Sequence, residues 1–271
     1  MKRFGIIILA LLAASFISCE KDDATGLEGE WIVYRDDYHP LTITFKGSEY
    51  DYYVQGISPR RDKGTFSYDG QYLTLSPSEY WEIDYETDKL ARINASDANF
   101  SMHKFQVLAF DGSVLVAKSL VNDFYAEGLV TYWTRGEDKQ TLDSKDLKGT
   151  WVAEGDYGSK YIFIFDDTSY TLYSMGNYNV REGDEWTLVV GSVKETGTWK
   201  HSKGVLSLNP TKVQCSMDEN TYYHVNVETG ESETWVDASY SPDPYECDLH
   251  LSGNTVYVRM DIMEALAFTK K

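Results

Sequence analysis

The sequence predicts an all-β protein built from two similar antiparallel β-domains in tandem. Three observations lead to this prediction: part of the first half recurs in the second half, apolar and polar residues alternate with the period of strands, and helix signals are scarce. The chain has 271 residues, of which 42% are hydrophobic, so it contains enough apolar material for two ordinary cores.

The internal repeat defines the domains. LEGEW at 27–31 recurs 120 residues later as LKGTW at 147–151. Further along, GTF at 64–66 recurs as GTW at 197–199 after a shift of 133, so the second copy carries 13 additional residues. The repeat therefore predicts a first domain at 27–137, a short polar linker at 138–145 and a second domain at 146–271.

The first hairpin of each copy can be read from the alternation of side chains. LTITF at 41–45 alternates apolar and polar residues, KGSE at 46–49 turns the chain, and YDYY at 50–53 returns, which predicts a hairpin with one dry face. The matching strand of the second copy, YIFIF at 161–165, is apolar on both faces. We therefore expect its outer face to pack against the other domain.

The N-terminus has the pattern of an export signal. Residues 1–18 combine a positive start with an apolar run that is too short to span a membrane, and the run stops at Cys19. FISC at 16–19 resembles the lipobox of bacterial lipoproteins, and the Lys and two acids that follow at 21–23 resemble the surface-export tag of Bacteroidetes lipoproteins. The alternative is an ordinary cleaved signal peptide with a coincidental cysteine.

The lipoprotein resemblance implies a lipid anchor. Cys19 would be lipidated and become the mature N-terminus, and 19–26 would form an acidic tether. The protein would then sit in the outer membrane, either at the cell surface or on the periplasmic face. A net charge of −18 repels nucleic acid and anionic headgroups, so we expect no nucleic-acid partner and anchoring by the lipid alone.

Each copy also resembles the lipocalin-like domains of bacterial lipoproteins. The resemblance rests on the opening Gly-x-Trp, on the β-only unit and on a basic residue just after the last strand; neither copy has the Thr-Asp-Tyr motif of lipocalins proper. It implies two eight-stranded barrels, in which a basic side chain lies over the motif tryptophan and the glycine lets the strand cross closely under the barrel floor. The residues in these roles are Gly29, Trp31 and Arg135 in the first copy and Gly149, Trp151 and Lys270 in the second.

A barrel of this size is either filled by its own side chains or holds one small apolar ligand. The inward positions that would line such a cavity are Phe45, Tyr50 and Tyr52 in the first domain and Phe165, Tyr170 and Leu172 in the second. No motif of a hydrolase, metalloenzyme or phosphate-binding loop occurs, and the five histidines lack metal-ligand spacing. We therefore predict a non-catalytic binding module with no cofactor, no metal and no catalytic residue.

The alternative is a surface module for a glycan or a partner protein, with filled barrels. Aromatic residues are frequent in predicted loops, and Trp186 and Trp235 lie in the extra and long connections of the second domain. Two cysteines remain besides Cys19. In an exported protein, Cys215 and Cys247 form either a disulfide or two buried free thiols, and the sequence does not decide between them.

The lipid anchor is directly testable. Cys19→Ser removes the thiol that would be acylated, so this variant should move from the membrane pellet to the soluble fraction and lose the added mass of the acyl chains. The Cys215→Ser variant serves as a control that should stay in the pellet. An unchanged distribution of the Cys19 variant would contradict lipidation and favour an ordinary signal peptide.

Overall fold

The computed structural model describes most of both repeats. The described residues are 25–34, 41–54, 59–84, 86–87, 89–93, 102–121, 127–136, 140–155, 158–182, 185–217, 221–239, 242–259 and 265–271, with the backbone alone at 34, 179–182 and 185–187. The predicted signal at 1–18, Cys19 and most of the predicted tether lie outside these ranges.

The first domain is a closed antiparallel barrel. Its strands are β1 (Gly29–Tyr34), β2 (Leu41–Lys46), β3 (Glu49–Val54), β4 (Arg60–Tyr68), β5 (Tyr72–Asp84), β6 (Lys89–Ile93), β7 (His103–Phe110), β8 (Val114–Ser119) and β9 (Val130–Thr134). Neighbouring strands pair in the order β1-β2-β3-β4-β5-β7-β8-β9, and β9 pairs back with β1. Strand β6 adds to the part of β5 that runs beyond the barrel.

The second domain repeats this topology. A single helical turn, α1 (Ser144–Leu147), precedes β10 (Gly149–Glu154), β11 (Lys160–Phe165), β12 (Ser169–Glu182), β13 (Glu185–Ser202), β14 (Val205–Cys215), β15 (Val236–Asp237), β16 (Tyr245–Ser252), β17 (Thr255–Arg259) and β18 (Ala265–Lys270). Strands β10 to β14 and β16 to β18 close a second eight-stranded barrel, and β15 adds to the end of β14. The prediction of two tandem lipocalin-like barrels is confirmed. We call them barrel 1 and barrel 2.

The register of the strands shows that the two barrels correspond residue by residue. Gly29 lies opposite Phe45 in barrel 1, and Gly149 lies opposite Phe165 in barrel 2. The predicted hairpin at 41–53 is present as β2 and β3. The additional residues of the second copy lengthen the β12–β13 hairpin, which runs well past the end of β11.

Each barrel is closed at one end by its opening tryptophan. The indole N–H of Trp31 donates to Leu27 O at 2.7 Å, and that of Trp151 donates to Leu147 O at 2.6 Å. Because these bonds satisfy the indole N–H groups, the rings can be buried without an unpaired donor. Leu27 and Leu147 are themselves fully buried.

A cation lies over each of these rings. The guanidinium carbon of Arg135 is 5.0 Å from the ring centroid of Trp31, and Lys270 Nζ is 5.1 Å from that of Trp151. Gly29 has a φ of +119°, and a Cβ there would lie 3.3 Å from Arg135 Cδ. Gly149 repeats the arrangement against Lys270. Both glycines therefore provide the backbone conformation and the space for the basic side chain.

Aromatic rings occupy the interior next to the closed ends. In barrel 1 the ring centroids of Phe45 and Phe66 are 4.6 Å apart, and those of Phe105 and Trp133 are 5.3 Å apart. In barrel 2 Phe165 stacks on Phe163 at 4.7 Å. Contacts at these distances leave the closed halves as ordinary packed cores.

The outer face of β11 is covered by its own domain. Residues 221–237, which we call the strap, connect β14 to β16 and place Val225 and Trp235 in one apolar cluster with Ile162 and Ile164. The expectation that this face packs on the other domain was wrong. The strap is held by polar contacts as well, since Ser192 Oγ donates to Gly230 O at 3.0 Å and Tyr173 Oη bonds Glu231.

The two barrels meet through equivalent strands instead. Val116 and Tyr132, on β8 and β9, form a buried cluster with Tyr257 and Ala265, on β17 and β18. Arg259 crosses the junction, with its guanidinium carbon 5.6 Å from the ring centroid of Tyr132. The strand pairs correspond in the repeat, because Val114 lies opposite Thr134 as Thr255 lies opposite Thr269. The interface therefore has the arrangement of a two-fold dimer made within one chain.

Much of the predicted linker belongs to barrel 2. Gln140 exchanges side-chain hydrogen bonds with the backbone of Leu251, and the N–H of Leu142 donates to His201 Nδ1 at 3.0 Å. Asp143 caps α1 by accepting from Lys145 N. The second domain thus begins at about Gln140 and not at 146. Among the described residues, no helix has both the length and the apolar character needed to cross a membrane.

Cys215 and Cys247 are free thiols. Cys247 lies opposite Leu206 on β14, whereas Cys215 ends that strand, nine residues further on. At about 3.3 Å per residue this separation is close to 30 Å, far beyond the reach of a disulfide. The structure therefore decides against the disulfide that the sequence left open.

The two cations over the tryptophans predict unequal effects on stability. Arg135 also donates to Gly112 O at 2.6 Å and to Glu28 O, whereas the Lys270 ammonium lies over the Trp151 ring and donates to no other described residue. Arg135→Ala should lower the free energy of unfolding by about 2 kcal/mol and Lys270→Ala by about 1 kcal/mol in urea titrations. Lys46→Ala, which removes an exposed lysine from β2, is the control and should have little effect. Equal losses for all three variants would contradict this view of the closed ends.

Candidate functional site

Barrel 1 contains a buried carboxylate at the level where the ring-filled half ends. Asp62 on β4 is 2% exposed, and its Oδ2 accepts a hydrogen bond from the Tyr50 hydroxyl at 2.5 Å. His103 Nε2 lies 3.8 Å from the same oxygen, and the His103 ring stacks on Tyr52 at 6.3 Å between centroids. The three side chains come from β3, β4 and β7 and meet inside the barrel.

Barrel 2 has a carboxylate at the corresponding place. Glu195 Oε1 accepts hydrogen bonds from Tyr170 at 2.5 Å and from Tyr245 at 2.7 Å. Glu195 lies opposite Leu172 as Asp62 lies opposite Tyr52, and Tyr245 lies opposite Leu208 as His103 lies opposite Leu75. We call these two groups the carboxylate clusters. Their members are Tyr50, Asp62 and His103 in barrel 1 and Tyr170, Glu195 and Tyr245 in barrel 2.

A β-bulge follows each acid directly. The register shifts between Lys63 and Gly64 in barrel 1 and between Thr196 and Gly197 in barrel 2. A Cβ on Gly64 would lie 2.0 Å from Ser76 O, so only glycine fits where the two backbones approach this closely. The extra residue lies on the partner strand, Ser78 on β5 and Thr211 on β14, so the bulge bends that strand opposite the residues that follow the acid.

A proline faces each of these glycines. Gly64 lies opposite Pro77 and Gly197 lies opposite Pro210. Proline has no N–H to donate, and a bulge is one of the few positions in a closed sheet where this is tolerated. The acid, the glycine at the bulge and the proline opposite it therefore form one local structural motif, which is present in both barrels.

Burial dominates the electrostatics of the clusters. Burial raises the pKa of Asp62 above its usual value, and the Tyr50 hydrogen bond and the His103 charge offset only part of this effect. Burial, together with the neighbouring carboxylate, raises the pKa of Tyr50, Tyr170 and Tyr245 well above the usual value, so all three phenols stay protonated as donors. Nearer the end of barrel 1, burial and a bond to Glu82 raise the pKa of Tyr80 to about 12.

The six residues predicted to line a cavity are all buried inside the barrels. Phe45 and Phe165 pack against other rings in the closed halves and act as core residues. The other four, Tyr50, Tyr52, Tyr170 and Leu172, lie in or beside the carboxylate clusters. The structure therefore divides the predicted set into core residues and candidate site residues.

The predicted recognition tryptophans are placed differently. Trp235 is half-buried in the strap, with its ring 6.1 Å from that of Tyr173 and Lys194 Nζ 5.4 Å from its centroid. It thus packs on its own domain. The side chain of Trp186 lies outside the described part of the chain.

A depression of about 450 Å³ is found on barrel 2. Its walls come from β13, β14 and β16, which are adjacent in the sheet, and include Lys200, Ser207 and Glu246. An interior cavity would also be lined by the opposite wall of the barrel. The depression is therefore open on the outer surface, where it borders the carboxylate cluster of barrel 2 through Tyr245, one of its lining residues.

Sequence reasoning missed Asp62, His103, Glu195 and Tyr245. The signal was available, because the shift of 133 that aligns Gly64 with Gly197 also aligns Asp62 with Glu195. An acid in the same inward position of both copies, two residues before a Gly-Thr-aromatic motif, is unusual for a strand that faces a core. Within the described ranges, no group of three or more His, Cys, Asp or Glu side chains is arranged to hold a metal ion.

The raised pKa of Asp62 predicts a pH-dependent stability. The folded state favours the protonated acid, so the wild type should lose stability as the pH rises from the unfolded-state value near 3.8 through the folded-state pKa. Asp62→Asn cannot ionise and should gain stability relative to the wild type as the pH rises above about 4 in urea unfolding.

The exposed Asp69 is a control with the opposite sign. Backbone N–H groups of Tyr72 and Gln71 bond its carboxylate and lower its pKa, so it stabilises the fold above the unfolded-state value. Asp69→Asn should therefore lose stability relative to the wild type over the same pH range. Parallel pH dependences for the two variants would contradict the assignment of Asp62 as the group disfavoured by burial.

Comparison of the chain with family models, with curated proteins and with solved structures finds no match in any of the three. The candidate residues are therefore identified by the geometry of this chain and by the correspondence between its two barrels.

Proposed function

We propose that this protein is a lipid-anchored binding module of the bacterial envelope, in which each barrel binds a small ligand at the end opposite its tryptophan. The observation that carries the proposal is the pair of carboxylate clusters at equivalent positions. Burying a carboxylate costs free energy even when it is hydrogen-bonded, and a barrel with only a structural role is more stable with apolar side chains there.

The position of the clusters supports binding at this end. Trp31 and Trp151 close one end of each barrel, and the rings of Phe45 and Phe165 fill the space next to them. Beyond them the interior becomes polar. A small ligand in an eight-stranded barrel typically makes most of its contacts with apolar walls and a few with fixed polar groups.

The two sites differ in their third member. His103 stands beside the acid in barrel 1, and Tyr245 stands there in barrel 2. Tyr52 is likewise replaced by Leu172. The barrels therefore offer the same acceptor in different surroundings, which favours two ligands or one ligand at two affinities.

The place of action follows from the N-terminal pattern. FISC at 16–19 supports lipidation of Cys19, and the first strand of barrel 1 begins ten positions later at Gly29. A short acidic tether of this kind would hold the barrels close to the outer membrane, at the cell surface or on its periplasmic face. The net charge of −18 supports neither nucleic acid nor anionic headgroups as partners.

The β12–β13 hairpin supports a second candidate function. It extends beyond the barrel and carries exposed apolar side chains, with Leu188 at 63% and Val190 at 38% exposure. Such a ribbon is suited to contact with a glycan or a partner protein. In this alternative the barrels are scaffolds and the ribbon is the binding surface.

Binding of the neutral apolar fluorophore N-phenyl-1-naphthylamine separates the two candidates. Both barrels and their interface are built from residues 25–271, so the unlipidated chain from residue 20 is a suitable sample. We expect a saturable rise in fluorescence with one or two sites per chain. Leu172→Trp fills the space beside Glu195 and should remove one site, whereas Leu188→Trp makes the same change on the exposed ribbon and should remove none.

The outcomes are distinct if thermal unfolding first shows that both variants are folded. Loss of a site in the Leu172 variant alone supports binding inside barrel 2. Absence of saturable binding in the wild type, or equal losses in the two variants, would overturn the proposal for the barrels. An effect of the Leu188 variant alone would favour the ribbon.

A further inference from the structure

The two carboxylate clusters differ in the residue that stands beside the acid, His103 in barrel 1 and Tyr245 in barrel 2, and this difference points to a ligand class. We infer that barrel 2 binds an amphiphilic amine, whose ammonium group docks on the free carboxylate oxygen of Glu195. The inference rests on the proposed function, since it names the kind of small ligand that barrel 2 would take at the end opposite Trp151.

Among the described residues, hydrogen-bond donors contact only one of the two carboxylate oxygens of Glu195. Both tyrosine hydroxyls donate to Oε1, and no described residue donates a hydrogen bond to Oε2. This second oxygen also keeps some exposure. Among the described residues, Ser232 Oγ is the one side-chain N or O atom that is both fully buried and without a hydrogen-bond partner, so the unpartnered Oε2 is not fully buried. Glu195 itself is half-buried, in contrast to Asp62. An acceptor is therefore held in place from one side and open on the other.

Within the described residues, no cation pairs with Glu195. In barrel 1, His103 Nε2 stands 3.8 Å from the acid and forms an ion pair with it when the imidazole is protonated. The equivalent residue in barrel 2 is Tyr245, which donates a hydrogen bond but remains neutral. A carboxylate without a counter-charge inside a barrel attracts a cation more strongly than the same group in water.

The lysine next to Glu195 in the chain does not supply this charge. Lys194 is on the outer face of β13, where its Nζ lies 3.3 Å from Glu231 Oε1 and 5.2 Å from the Tyr173 ring centroid. Alternation along the strand places its side chain on the opposite side of the sheet from Glu195. The missing counter-charge would thus come from a ligand.

The residues around Glu195 indicate the chemistry of the part of the ligand that extends from its ammonium group. In the register of the sheet it is flanked by Leu172 on β12 and Val213 on β14, both buried. The rings of Tyr170 and Tyr245 complete the wall around the carboxylate. An ammonium group on a hydrocarbon or aromatic stem matches this combination of one charged acceptor with apolar sides.

A matched pair of small probes tests the inference. n-Hexylamine and 1-hexanol have the same carbon chain and differ in the charged donor, and each can be titrated against bound N-phenyl-1-naphthylamine. In the wild type the amine should displace the fluorophore from one site at a concentration at least about tenfold lower than the alcohol, as expected for a charge-assisted hydrogen bond. Glu195→Gln should reduce this preference to within about twofold and still bind the fluorophore.

Glu246→Gln is the matched control. Glu246 follows Tyr245 on β16 but points outward, where it accepts from Ser207 Oγ at 2.9 Å. Its substitution removes the same charge from the same domain and should leave the amine preference unchanged. If the wild type binds the fluorophore but shows no preference for the amine, or if both variants lose the preference equally, the inference is wrong and the proposed function stands. If the fluorophore itself does not bind, the proposed function fails first.

Discussion

Closure of each sheet on itself is the constraint on which the rest of this structure depends. In each repeat the first strand pairs with the last, and β4 pairs with β5 as β13 pairs with β14. None of the eight barrel strands is therefore an edge strand. Closure forces half of the side chains of every strand into a narrow interior. Rings in contact fill one half of that space, and the indole of Trp31 or Trp151 ends it. Because the volume is small, the inward acid of each barrel is brought within hydrogen-bond reach of tyrosines from other strands.

The architecture could be predicted from the sequence because the same pattern of residues occurs in both copies. A motif such as Gly-x-Trp has little value alone, but its recurrence at 29–31 and 149–151 fixes the domain count and the first strand of each unit. The alternation at 41–45 predicts the hairpin for the same reason: one face is buried and the other is wet. These features are local or periodic, and closure of the barrel then follows from their number and order.

The carboxylate clusters could not be predicted in the same way, because each one joins residues that are far apart in the chain. Tyr50 and Asp62 are on neighbouring strands, but His103 lies on β7 and meets Asp62 across β5. Tyr245 on β16 likewise meets Glu195 across β14. The partner of β11 was also assigned wrongly. A strand that is apolar on both faces shows that its outer face is covered, but it does not show by what, and a strap of mixed composition such as 221–237 carries no apolar signal of its own.

The junction between the barrels has a consequence for how the two halves can change. In a symmetric homodimer, any substitution at the interface appears on both sides at once, so a large residue must be compatible with itself. Here Tyr132 of barrel 1 corresponds to Ala267 of barrel 2, and Tyr257 of barrel 2 corresponds to Val116 of barrel 1. Because the two copies are joined in one polypeptide, a substitution at the interface of one barrel does not appear in the other. A large residue on one barrel can therefore pack against a small residue on the other. Joining the copies also makes association of the halves independent of protein concentration, so the pair stays assembled at the low copy numbers at which a separate dimer would dissociate.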